Sequence, residues 1–134
     1  MFVVVDTGLP KSPAPVSGTV RTDHEVFTAQ IPKHPVSGKI VPGGIEVQAR
    51  QALGNLRQSI EAAGGTLADV VQVLVFLIDA ADAPGMNKVY TEFFREPYPN
   101  RATVVVKELL QPGMRIEMLV QARLAGAREG GRGA

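Results

Sequence analysis

The 134-residue sequence contains no cysteine and no tryptophan, and aromatic residues make up only 5% of it. Without cysteine there is no disulfide, no thiol nucleophile and no thiolate metal site, and any redox compartment is compatible with the chain. Histidine is scarce as well. His24 and His34 sit ten residues apart in segments that read as turns. No carboxylate stands at ligand spacing beside either one, so solvent-exposed turn histidines are expected and a metal site is not. An excess of one charge is missing too, since fourteen basic residues face thirteen acidic ones and leave a formal net charge of +1. Such a balance gives no electrostatic footprint for nucleic acid or an anionic membrane. Basic residues are not interleaved with aromatics, which argues further against a nucleic-acid partner. No apolar run approaches the roughly 20 residues that a spanning helix needs. The opening Met1-Phe2-Val3-Val4-Val5-Asp6 is apolar but brief and lacks a basic leader, so no signal peptide is expected and the cytoplasm is the default location. There is no Gly-x-Ser-x-Gly elbow. Gly43-Gly44 precedes a helix without a Walker or dinucleotide fingerprint, leaving a structural turn or an anion held by amides as its readings.

What is present is a composition able to fold: 45% of residues are hydrophobic and 20% charged. The length fits a single domain, expected over residues 1–125, with a Gly- and Arg-rich tail at 126–134 expected to be disordered. Phe2 to Val5 reads as a strand. Asp6 to Ser17 carries Gly8, Pro10, Pro13 and Pro15 and reads as a loop. Thr19 to Arg21 and Glu25 to Gln30 read as a hairpin turning at Thr22-Asp23-His24.

Residues 45–63 carry the clearest helical pattern. Ala49, Leu53, Leu56, Ile60 and Ala63 form one apolar stripe, and Gly64-Gly65 supplies the stop. Glu46 and Arg50 stand four apart in the favourable order for an ion pair. Val70 to Ile78 is almost wholly apolar and predicts a central strand buried on both faces. A second helix is expected at about 82–95, with Met86, Val89, Tyr90, Phe93 and Phe94 inward and Glu96-Pro97-Tyr98-Pro99 breaking it. Arg101 to Lys107 reads as a strand. Arg115 to Leu124 alternates, with Ile116, Met118, Val120, Ala122 and Leu124 on one face and Arg115, Glu117, Gln121 and Arg123 on the other.

This order defines an α+β chain: a mixed β-sheet with two helices packed on one face. The second sheet face is partly apolar, Leu119 included. The chain offers no third layer to cover it, so another subunit is expected there.

Several segments in order carry a resemblance. They are Phe27-Thr28-Ala29-Gln30-Ile31-Pro32, Pro35-Val36-Ser37-Gly38, Gln48-Ala49-Arg50-Gln51-Ala52-Leu53-Gly54-Asn55-Leu56 and Glu61-Ala62-Ala63-Gly64. Val75-Phe76-Leu77-Ile78-Asp79, Asn87-Lys88-Val89-Tyr90, Phe93-Phe94, Pro99-Asn100-Arg101-Ala102-Thr103-Val104 and Arg115-Ile116-Glu117 follow. The series resembles the reactive intermediate deaminase family (Rid, also called YjgF), from about residue 14 to 124. The resemblance implies a chorismate mutase-like fold and a homotrimer whose sheets pack into a central barrel, with sites in clefts between subunits. It also implies hydrolysis of enamine and imine acids, such as 2-aminoacrylate, to 2-keto acids and ammonia, with no metal or organic cofactor. The partner would be a small carboxylic acid.

Arg101 matches the family's carboxylate-binding arginine, a role suited to the planar guanidinium fork. Without the resemblance it reads as a surface arginine at a strand start. Glu117 matches a glutamate on the last strand, where it could orient the attacking water. It could equally be an exposed strand residue paired with an arginine. The resemblance places Thr28 near the substrate carboxylate, Ala29 at a backbone contact, and Asn87 and Tyr90 on the second helix, Tyr90 with core as its other reading. The sequence also departs from the family. Ala14-Pro15-Val16-Ser17-Gly18 stands where the best-known members carry Gly-Pro-Tyr-Ser-Gln, so Val16 replaces an aromatic wall of the pocket. Thr103 replaces a cysteine, and the loop at Leu109 to Gly113 is longer. These changes keep the carboxylate clamp and open the choice of acid. A larger amino-diacid such as 2-aminomuconate and a non-catalytic trimeric binder of carboxylates are the alternatives.

Overall fold

The computed structural model describes residues 1–125; the expected tail at 126–134 lies outside the described residues. Six strands form one mixed sheet: β1 (Val3–Val4), β2 (Thr19–Arg21), β3 (Glu25–Gln30), β4 (Val70–Leu77), β5 (Asn100–Val105) and β6 (Ile116–Arg123). Two helices, α1 (Ile45–Ala62) and α2 (Ala83–Phe93), lie on one face, as the alternation of strands and helices predicts. The strand order is β1-β2-β3-β6-β4-β5. The last strand therefore inserts between β3 and β4, antiparallel to both, and β4 and β5 pair in parallel through the α2 crossover.

The apolar stripe of α1 is buried on the sheet: Ala49, Leu53, Leu56 and Ile60 meet Val26 of β3 and Ile116, Met118 and Val120 of β6 in one core. Burying each Leu or Ile contributes roughly 1.5–3 kcal/mol. Gly64 ends α1 with φ +99, a left-handed conformation that a side chain disfavours. The Arg21 Nη1 donates to the Ala63 carbonyl and closes the helix end. Met86, Val89, Tyr90 and Phe94 are buried from the α2 side, with Phe93 packed at the margin. Gly85 lets the helices approach: a Cβ there would lie 2.8 Å from Ile45 Cγ2.

Two expectations are corrected. Arg50 does not pair with Glu46. Its Nε and Nη2 donate to both carboxylate oxygens of Glu92 on α2, at 2.9 and 2.6 Å, and Glu46 meets Lys88 at 3.5 Å. The carboxylate on the neighbouring helix takes both bonds of a bidentate pair. Nor is β4 buried on both faces. Val73, Val75 and Leu77 point into the core, whereas Val71 and Gln72 are exposed and Leu74 and Phe76 half-buried. One layer of helices covers one face only, so the apolar run on β4 is covered by this chain on one side.

That open face is continuous. Paired residues on adjacent strands share a face, and the register aligns Ala29 with Leu119 and Leu119 with Leu74. Val4, Phe27, Leu119 and Val104 are among its exposed large apolar side chains, Leu119 at 52%. Glu117 pairs with Phe76 and stands on the same face.

Candidate active site

Arg101 enters on edge strand β5, opposite Val73 of β4 and thus on the helix side of the sheet. Its guanidinium is held from three directions. Nη2 donates to Asn87 Oδ1 at 2.7 Å. Nη1 lies 3.7 Å from Met86 Sδ. The Cζ stands 4.6 Å above the Tyr90 ring, a cation–π arrangement. Met86 and Asn87 lie on one turn of α2 and Tyr90 on the next, so helix periodicity builds the cradle. Asn87, Tyr90, Thr91, Tyr98, Pro99 and Arg101 line a cleft of about 310 Å³. Thr103, two residues on, lies on the same side of β5 and is exposed. The cradle leaves Arg101 half-exposed with donors to spare, since a guanidinium has five.

Tyr90 packs on Phe94 with ring centroids 4.6 Å apart. Its hydroxyl is the one buried side-chain polar atom without a hydrogen-bond partner among the described residues. Burial pushes its pKa up, opposed by the charge of Arg101. Tyr90 is therefore core and cleft floor at once.

The remaining expected residues lie elsewhere. Glu117, Ala29 and Val16 line a second, larger cleft of about 480 Å³, together with Lys33, Gln111 and Met114. Burial raises the Glu117 carboxyl above its ordinary 4.5, the direction that suits a group moving protons nearer neutral pH. Val16 is exposed on the cleft wall. The wall is fastened through its backbone: Gln58 Nε2 donates to the Thr7 carbonyl at 2.8 Å and Lys33 Nζ to the Pro10 carbonyl at 2.6 Å. Ala29 contributes a side chain of minimal size, and its N–H is spent on the Gly18 carbonyl at 3.0 Å.

Thr28 points the other way. It pairs with Val120 on the helix side and is 2% exposed. Its hydroxyl joins Thr19 Oγ1 at 2.7 Å, and Gln30 Nε2 donates to it at 2.8 Å. The Thr28 side chain thus braces β2 against β3 behind the cleft. Gln48 does similar work at the other end. Its amide donates to the Val41 and Gly113 carbonyls at 3.0 and 2.7 Å and accepts from the Arg115 N–H at 2.7 Å. The start of β6, and Glu117 with it, is thereby tied to α1. Arg115 itself is held by Asp82 in a two-bond pair at 2.8 and 3.0 Å.

Sequence reasoning missed Lys33, Tyr98, Gln111 and Met114. They sit in proline-rich or irregular loops, where neither period nor motif marks them. Asn55, buried on α1, is a usable signal for Lys33: an asparagine on an apolar helix face needs partners, and its Nδ2 donates to the Ile31 and Lys33 carbonyls. Among the described residues no group of three or more His, Cys, Asp or Glu could hold a metal ion, and no helix is long and apolar enough to cross a membrane.

Within one chain, Arg101 and Glu117 occupy different clefts on opposite sides of the sheet. The arrangement as a whole has counterparts. Residues 9–124 match the family model described as Endoribonuclease L-PSP. A RutC family protein of Pyrococcus horikoshii is 42% identical over 108 residues, covering 80% of this chain and 86% of its own. The 2-iminobutanoate/2-iminopropanoate deaminase of Capra hircus is 37% identical over 112 residues, covering 81% of each. The crystal structure of E. coli TdcF with bound serine superposes with a TM-score of 0.83 at 31% identity, over 92% of this chain and 99% of that one. The cradled arginine on β5, the glutamate on β6 and the mixed sheet that carries them thus belong to a member of the Rid (YjgF) family, whose family model is Endoribonuclease L-PSP.

Proposed function

We propose that this chain is a deaminase that hydrolyses reactive enamine and imine acids of the 2-aminoacrylate type to 2-keto acids and ammonia, as a homotrimer with sites between subunits. The observation that carries the reading is the Arg101 cradle: a guanidinium fixed by Asn87, Met86 and Tyr90 with its remaining donors open to a cleft. A planar, preorientated fork of this kind suits a carboxylate. Relatives named as 2-iminobutanoate/2-iminopropanoate deaminases support the reaction class. The near-neutral net charge of +1 disfavours an RNA substrate.

The assembly follows from the separation of Arg101 and Glu117. In the proposed trimer the β5 edge of one copy lies against the open face of the next, and the Arg101 cleft adjoins the Glu117 cleft there. The contact joins two different surfaces, the kind of interface that builds a ring when its rotation closes. In such a site Arg101 holds the substrate carboxylate. The enamine takes a proton on its β-carbon and becomes the iminium. Water adds to the iminium carbon, giving up a proton to the Glu117 carboxylate, and the new C–O bond is matched by the C=N π pair moving to nitrogen. Glu117 returns the proton to that nitrogen, the C–N bond breaks as the carbinol oxygen forms the C=O bond, and the hydroxyl proton passes to the departing ammonia, leaving the keto acid and ammonium. Imines hydrolyse in water unaided, so positioning supplies much of the acceleration.

The test is to generate 2-aminoacrylate in the presence of the protein and follow keto acid and ammonia. Release faster than in buffer is expected. Tight binding of a carboxylate that comes back unchanged would mark a binder instead. A second expectation concerns pH. The base must be ionised, so kcat/KM falls as pH drops through the Glu117 pKa. Because burial raises that pKa, the acid limb lies above 4.5, and Glu117→Gln removes the limb. A wild-type profile flat through the acid range would exclude Glu117 as the base.

A further inference from the structure

Lys33 is a charged group that the proposed chemistry does not use. It lines the Glu117 cleft and is half-buried there. Its Nζ makes one hydrogen bond, to the Pro10 carbonyl at 2.6 Å. An ammonium has three donors, so two are left without a partner among the described residues. No carboxylate lies within 4.0 Å of it among those residues, since the ion pairs there involve Arg50, Lys88 and Arg115.

The position of Lys33 is built rather than incidental. Asn55 Nδ2 donates to the Lys33 carbonyl at 2.9 Å and to the Ile31 carbonyl at 3.2 Å. Lys33 also forms an antiparallel bridge with Ile40. Lys33 follows the end of β3, where Gln30 faces Met118 beside Glu117. The ammonium and the Glu117 carboxylate therefore stand at the same end of the sheet, in one cleft. Burial of an ammonium without a counter-charge is unfavourable, and Lys33 accordingly has its pKa lowered by desolvation. An anion entering the cleft would relieve that cost. The exposed Lys11 lies on the same wall, and the acidic residues there are Asp6 and Glu117. The Asp6 carboxylate is engaged by the Gly8 N–H at 3.1 Å.

We propose that Lys33 is a specificity-determining residue that selects imino acids carrying a second, distal carboxylate. The inference rests on the deaminase reading for the location of the first carboxylate, at Arg101 of the adjoining copy. Lys33 then receives the far end of the same molecule. Val16 lines the same cleft as Glu117, and no aromatic side chain lines it among the described residues, which suits a substrate longer than 2-aminoacrylate.

The experiment compares two imines of equal carbon number, generated in place by oxidases acting on glutamate and on norvaline. The wild type is expected to hydrolyse the glutamate-derived imine with the higher kcat/KM. Lys33→Met should lower the glutamate-to-norvaline ratio about tenfold, and Lys33→Arg should restore most of it. An unchanged ratio in Lys33→Met, or no dicarboxylate preference in the wild type, overturns the proposal. Calorimetric titration with 2-oxoglutarate and 2-oxopentanoate reads the same selection without chemistry. If neither imine is hydrolysed faster than in buffer, the deaminase reading fails, and the titration still decides Lys33: tighter binding of the diacid, lost in Lys33→Met, supports it, and equal binding overturns it.

Discussion

Replacing Arg101 with lysine should lower kcat/KM for a 2-aminoacrylate-type substrate by about 10²-fold, on the order of 3 kcal/mol of transition-state binding. The charge survives this change, so a loss that large would belong to shape. The guanidinium is planar, with its Cζ 4.6 Å from the Tyr90 ring centroid, Nη2 on Asn87 and Nη1 beside Met86. Its remaining donors can meet two carboxylate oxygens at once. An ammonium on a flexible stem meets one at a time and loses the stacking. Arg101 stands on edge strand β5 and is half-exposed, so the thermal midpoint should barely move and the loss would be read in kinetics alone. A variant within threefold of wild type would remove the bidentate clamp from the mechanism.

The second large effect is expected at Leu119→Glu. Leu119 is 52% exposed in the single chain, so a glutamate there costs little while the chain is alone. It lies between Ala29 and Leu74 in the register of the open face. Covered by another copy, the same glutamate becomes a buried, unpaired carboxylate. Such a group costs roughly 3–5 kcal/mol in measured cases of broken buried pairs, and a ring presents it at every interface. Sedimentation should show monomers, circular dichroism an intact fold, and keto-acid release should fall to the rate in buffer. A variant still assembled and active would refute the assembly through the open face.

Both effects depend on features with unequal visibility in the sequence. The α1 stripe and the β6 alternation were legible because each repeats with the period of its backbone, and both are buried as that period requires. The expectation of a cover on the second sheet face rested on the partly apolar outer side of the last strand, Leu119 included, and Leu119 is exposed in the single chain. The insertion of β6 between β3 and β4 was not legible, since pairing partners leave no local trace in an apolar strand. Arg50 shows the same limit: Glu46 was near in sequence, and Glu92 was better placed in space. Of the site, Arg101 stood out by resemblance, while its cradle needed the packing of α2. Thr28 was placed near the substrate carboxylate by the resemblance alone. Strand parity, fixed by its pairing with Val120, sends it behind the sheet instead. Lys33 carried no signal in the sequence, because its place in the cleft depends on a contact with Pro10, 23 residues away.

The fastening of the first loop has a further consequence. Gln58 and Lys33 grip the loop by the carbonyls of Thr7 and Pro10, and every residue has a carbonyl. The grip is therefore indifferent to which side chains the loop carries. Val16 can be exchanged for an aromatic or a polar residue while the segment around it stays in place. Chemical selectivity at this wall can drift by single substitutions, without a toll on folding, so closely related chains are free to diverge in substrate before they diverge in shape.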